Sequence, residues 1–185
     1  SLINAEIAEA GLGVPVYFAP NDRFLPEVEE ASARAQESAA GLFATEIGCT
    51  LPGQLQAQSA AVDQVPATVE GDPTDALAGA ESVLEDVGDF VAGLDADGLS
   101  ELGNAVMAGP LVASYLADLR EEASDVQEDA RDARTALEEL KTAYDEEQER
   151  LEQERLEEER RKEQERLEKE EQERQEREER ERQAQ

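Results

Sequence analysis

The sequence predicts an all-α protein: an acidic antiparallel helical bundle with a long protruding C-terminal charged helix. Three observations lead there. From Leu111 to Gln185 there is neither glycine nor proline, so nothing breaks a helix. Within that run Val112, Leu116, Leu119, Ala123, Val126, Ala130, Ala133, Leu137, Leu140, Tyr144 and Leu151 alternate in steps of four and three, with one failure at Glu147. That spacing is a heptad seam. A second seam, Leu77, Ala80, Leu84, Val87, Val91 and Leu94, repeats it upstream. Aromatic residues are only 4% and Trp is absent, so Ala, Val and Leu must fill the interior. Small side chains suit helices in close approach, and several such helices joined by short breaks make a bundle.

Three segments follow: an N-terminal helix and extended arm over 1–21, a helical bundle or coiled coil over 22–151, and a charged single α-helix over 152–185. In the arm, Leu2, Ile3, Ile7 and Ala10 have helical spacing, with Ser1 or Asn4 as cap and Gly11 and Gly13 as the break. Val14 to Phe18 reads as extended, because Pro15 and Pro20 bias their predecessors away from the α region. Having no evident partner strand, it predicts no sheet.

Asn21-Asp22 followed by Pro26 marks the start of a long amphipathic helix reaching about Thr45. Gly48 and Pro52 bracket its end. The lone Cys49 between them reads as a small buried residue, with a mixed disulfide or a dimer bond as alternatives. Leu51, Leu55, Val62 and Val65 mark a shorter helix, and residues 66–75 a turn-rich loop. Thr74 or Asp75 is the expected cap of the second-seam helix. Gly79 and Gly88 interrupt that helix, either weakening it or letting a neighbour come close. Asp95 to Gly98 is expected to end it, Leu99 to Met107 to form a short helix, and Gly109-Pro110 to start the long one.

Packing is assigned to Val112, Leu116, Leu119, Val126, Leu137, Leu140, Tyr144 and Leu151. Three Ala thin the middle of the seam, because each buries little area. After Leu151 the next seam positions are Glu154 and Glu158, too polar to bury unpaired, so any partner helix should end near 151. Beyond it the helix is held locally. Eight acid-first i,i+4 pairs, among them Glu157–Arg161, Glu158–Lys162 and Glu173–Arg177, extend a helix already nucleated by the bundle. The stretch 146–183, EEQERLEQERLEEERRKEQERLEKEEQERQEREERERQ, resembles the charged single-α-helix (ER/K-type) spacers of motor and cytoskeletal proteins. It is also similar to the helical spacers of bacterial envelope proteins such as the TolA class. The resemblance implies a stiff spacer and no activity.

Net charge is −30. Residues 145–185 hold 11 Lys/Arg against 19 Asp/Glu, a net −8, which leaves 6 against 28, a net −22, on residues 1–144. Such a surface repels nucleic acid and anionic membranes and favours cationic partners, divalent cations or mere solubility. Residues 1–144 carry one lysine, Lys141, and this Lys-poor composition resembles secreted proteins of high-GC Gram-positive bacteria or halophile proteins. The absence of His removes the usual general base and the commonest metal ligand. One Cys excludes a thiolate zinc cage. Gly11-Leu12-Gly13 lacks the third glycine of a phosphate fingerprint. Read as a calcium loop, Asp95-Ala96-Asp97-Gly98 would place Gly93 and Asn104 where acids are required. No catalytic, cofactor or metal residue is therefore assigned.

The chain starts at Ser1, read as a processed mature chain or an excised segment, and no run of 18 apolar residues predicts a membrane span. The function expected is non-enzymatic: an extracytoplasmic spacer or scaffold subunit of a bacterial cell envelope or surface layer, with a protein partner or self-association. The alternatives are a helical module that captures a partner helix or cationic target, in a groove between the helices at 25–45 and 77–94, or the coiled-coil region of a larger envelope enzyme.

Overall fold

The computed structural model describes residues 2–95 and 97–183. It is all-α, with no strand among the described residues. The helices are α1 (Ile3–Glu9), α2 (Leu25–Glu37), α3 (Leu51–Asp63), α4 (Thr74–Ala92), α5 (Gly98–Glu101) and α6 (Ala113–Gln183), with 3-10 turns at Gly41–Phe43, Ala105–Ala108 and Pro110–Val112. Contacts divide the chain into two units, 1–139 and 140–185.

In the first unit α1 lies against α2, and α3 against α4. The core gathers Phe43, Leu51, Leu55, Phe90, Leu94, Leu99, Met107, Leu116, Leu119 and Ala123. Two Phe and the only Met thus supply bulk where Ala and Leu alone would leave voids. Phe43 also meets Tyr115 edge to face, with ring centroids 4.8 Å apart. Burial first, and then the charge of Glu122, push the Tyr115 phenol up to about 12. The folded state therefore keeps a proton that the unfolded state has lost above about pH 10. Stability is expected to fall as pH rises from about 10 towards 12, and the Tyr115→Phe variant should show a flatter decline in urea midpoint over that window.

The two seams meet. Arg134 Nη2 lies 3.8 Å from Glu81 Oε1, a methyl on Gly88 would stand 3.3 Å from Gln127 Nε2, and Arg120 reaches the Leu94 carbonyl. Numbers rise along α6 as they fall along α4, so the pair is antiparallel. Val112, Leu116, Leu119, Ala123, Ala130 and Leu137 are buried, and Val126 and Ala133 half-buried. Arg120 donates from Nε (3.0 Å) and Nη2 (2.5 Å) to the Leu94 carbonyl, satisfying an orphan acceptor just past the end of α4 with a positive charge.

Several element ends differ from expectation. The helix expected to reach Thr45 stops at Glu37. Ser38 Oγ turns back to the Arg34 carbonyl at 2.7 Å, Ala39 takes φ 51°, and Gly41 takes φ 57°. The reason is a backbone crossing. Leu42 N–H donates to the Gly11 carbonyl (2.8 Å), and a Cβ on Gly11 would sit 2.0 Å from the Ala40 oxygen. Cys49, expected to be buried, is exposed. It precedes a cap: the Thr50 hydroxyl accepts from Gly53 N–H (3.1 Å) and donates to the Ala44 carbonyl (2.5 Å). Pro52, expected to close a break, instead occupies the first turn of α3.

Asn4 lies inside α1 and caps nothing; the N-cap is Leu2, without a side-chain bond, and Ser1 lies outside the described residues. The expected cap Thr74 is the first residue of α4, where Asp72 Oδ1 accepts from its N–H (3.0 Å) and its hydroxyl (2.6 Å). Gly103, with φ 73°, and buried Asn104 split the expected 99–107 helix, as Asn104 Nδ2 ties the Cys49 and Leu102 carbonyls together at 3.1 and 2.9 Å.

Gly79 proves to be a plain helix interior with nothing within 4 Å of an added Cβ. Gly79→Ala is expected to stabilise the first unit by about 0.5–1 kcal/mol, read as a raised urea midpoint.

Candidate functional site: an N-terminal cleft and a charged helix

In the second unit every residue from Gln148 to Gln183 is exposed. Leu140 is 36% and Leu151 45% exposed, while Tyr144 and Glu147 are half-buried. The seam residues Leu140 and Leu151 therefore do not share the burial of Leu116, Leu119 and Leu137. Within the first unit, the Glu81–Arg134 ion pair and the approach of Gln127 to Gly88 place Leu137 near the start of α4 at Thr74.

Ion pairs line this helix, but mostly not at the spacing assigned from sequence. Glu158–Lys162 (2.6 Å) and Glu176–Arg180 (3.1 Å) keep i,i+4. Arg150, Arg155, Arg160, Arg166 and Arg174 each turn to an acid three residues back, from 2.5 Å for Glu147 to 3.9 Å for Glu157. For Arg155 and Arg160 the residue four back is leucine, and for Arg166 it is Lys162. Glu157 is drawn to Arg160 and Glu158 to Lys162, so Glu157–Arg161 does not form. Arg177 Nε donates instead to the Glu173 backbone carbonyl at 3.2 Å. The Lys162 ammonium, by hydrogen bond first and charge second, lowers the Glu158 carboxyl pKa. Each exposed pair contributes little by itself, and together they support the helix locally.

An apolar recess lies at the other end of the sequence. The start of α2, α1 and residues 13–16 enclose a cleft of about 600 Å³, with Ile7, Val14, Val16 and Phe24 on its walls and Asn4 and Arg23 as polar groups. The Arg23 guanidinium sits 4.9 Å above the Phe24 ring. Val16, on its wall, is 58% exposed, and Phe18, two residues further on, is 71% exposed. A smaller groove of about 330 Å³ between α3 and α4 is lined by Ala57, Ala61, Val65, Gly79 and Val83. Neither recess lies between the helices at 25–45 and 77–94. The cleft escaped sequence reading because it depends on the Gly11–Gly41 crossing that anchors residues 13–18. The signal was there, since the exposed apolars Val16, Tyr17 and Phe18 stand together in a chain poor in aromatics.

The Asp95 motif has a structural use: its Oδ1 accepts from Gly98 N–H at 2.7 Å, at the start of α5 rather than closing α4. Among the described residues no three His, Cys, Asp or Glu converge as for a metal, and no helix is long and apolar enough to cross a membrane. No protein-family model, curated protein or solved structure matches this chain.

Proposed function

We propose that the chain is a non-enzymatic assembly protein whose 1–139 unit docks and whose charged helix sets a distance, in the manner of an extracytoplasmic spacer or scaffold subunit of a bacterial envelope or surface layer. The observation that carries this is the exposure of every residue from Gln148 to Gln183 within a continuous helix. A helix that buries nothing, yet is rich in ion pairs and free of glycine and proline, serves length better than recognition. Residues 140–183 extend for about 65 Å at ~1.5 Å per residue. The Lys-poor, acidic composition supports the extracytoplasmic setting.

Two measurements test it. Spin labels at Gln148→Cys and Gln175→Cys, in a Cys49→Ser background, should give a narrow distance near 40 Å, 27 residues at about 1.5 Å each. A coil would give a broad distribution around 30 Å. In the native host, replacing residues 152–182 with an unrelated charged helix of equal length should leave incorporation into the native assembly intact on a native gel. A Gly/Ser segment of that length should abolish it. Loss with the unrelated helix would show sequence-specific recognition and overturn the spacer reading.

A further inference from the structure

The arm between α1 and α2 has an open backbone edge. Residues 13–18 run without turn, bend or ladder. Among the described residues, the N–H and C=O of Val14 and Val16 and the N–H of Phe18 have no backbone partner; the Phe18 carbonyl accepts from Asn21 N–H at 2.8 Å. In an extended strand both backbone groups of a residue point to the same side, and alternate residues share that side. Residues 14, 16 and 18 therefore form one hydrogen-bonding edge and 13, 15 and 17 the other. Pro15 has no N–H, which spoils the second edge, whereas the first keeps every group except the Phe18 carbonyl, taken by Asn21. Residues 13–16 of this segment wall the 600 Å³ cleft, Val16 on that wall is exposed, and Phe18 at the end of the segment is exposed too. Open backbone groups together with adjoining apolar surface are the requirements for strand addition.

Charge selects the occupant. Residues 1–37 carry seven acids against Arg23 and Arg34. Arg34 is already held by Glu9 at 2.9 Å and Glu30 at 3.5 Å, and Arg23 is stacked on Phe24. A second copy of this chain could pair edge to edge, but it would bring the same acidic surface and a charge of −30. We infer that the 14-16-18 edge and its cleft take a short extended segment of a partner protein, apolar and β-favouring at its centre and basic at its ends, added as a strand. This concerns residues 1–37 only and stands apart from the spacer reading.

The test uses the full chain and a fluorescein-labelled peptide with a Val-Thr-Val-Thr-Val centre and two lysines at each end, titrated at about 0.15 M salt, where distant charges are screened. Saturable binding is expected, with isotope-edited infrared of the bound peptide showing a strand. Val16→Pro, which removes an N–H from the first edge, should weaken it at least tenfold. Tyr17→Pro, which removes one from the other edge, should change it less than threefold. Methylating alternate peptide nitrogens on the pairing side should abolish binding without any change to the protein.

The proposal is overturned by an absence of binding, or by equal loss in the two proline variants. It is overturned equally if a Gly/Ser-centred peptide of the same charge binds as well, which would mean that the acidic surface alone acts. Light scattering supplies the last arm: a dimer that Val16→Pro dissolves would assign the edge to a second copy and overturn the proposal too.

Discussion

Gly11→Ala is expected to destabilise the 1–139 unit by about 2–4 kcal/mol, seen as a lower urea midpoint at unchanged slope. Two effects add. Gly11 has φ +65°, where a Cβ is strained by about 1–2 kcal/mol. The new methyl would also stand 2.0 Å from the Ala40 oxygen, a backbone atom that cannot rotate away. Gly71→Ala separates them: φ there is +89° and nothing lies within 4 Å. It should show the strain alone, about 1 kcal/mol. Equal losses in the two variants would mean that the crossing at Gly11 and Gly41 relaxes freely, and would remove its claim to anchor the arm.

Leu119→Ala is expected to cost about 2–5 kcal/mol, because a fully enclosed leucine leaves both lost transfer energy and a cavity. Leu119 is buried in the main core with Leu116 and Leu94. Leu151→Ala, at the same heptad spacing but 45% exposed, should stay within about 0.5 kcal/mol. The comparison is read by chemical denaturation at two protein concentrations. A Leu151→Ala loss near that of Leu119→Ala, growing on dilution, would show that the seam past Leu140 is covered by a second chain.

Helix existence was legible wherever the apolar spacing was long and uninterrupted. Both seams, the loop at 66–75 and the break at Gly109-Pro110 could be read from residue types, because periodicity and the Pro/Gly signals act locally. The N-cap at Thr50 has a local signal too, Thr followed by Leu51 and Pro52, which the neighbouring Gly48 and Pro52 mask as a break. The end of α2 was not: Gly41 stood inside an otherwise helical pattern, and only its crossing with Gly11, thirty residues upstream, makes it a chain reversal. The exposure of Cys49 was equally hidden, since it follows from Thr50 and Asn104 fastening the loop around it. The N-terminal cleft belongs with these, built from three segments whose approach no local pattern encodes.

By itself the sequence determined an all-helical chain, the two heptad faces, the strongly acidic balance and a C-terminal helix sustained by near-neighbour charges. All of these rest on contacts within about a helical turn or on composition. Only the tertiary structure decided where the seam stops being a core. The apolar spacing continues to Leu151, yet the last fully buried seam residue is Leu137, and α4, running antiparallel to α6 within the first unit, begins at Thr74. A hydrophobic stripe states that a helix can be covered; the length of the partner lying on it decides how much of it is.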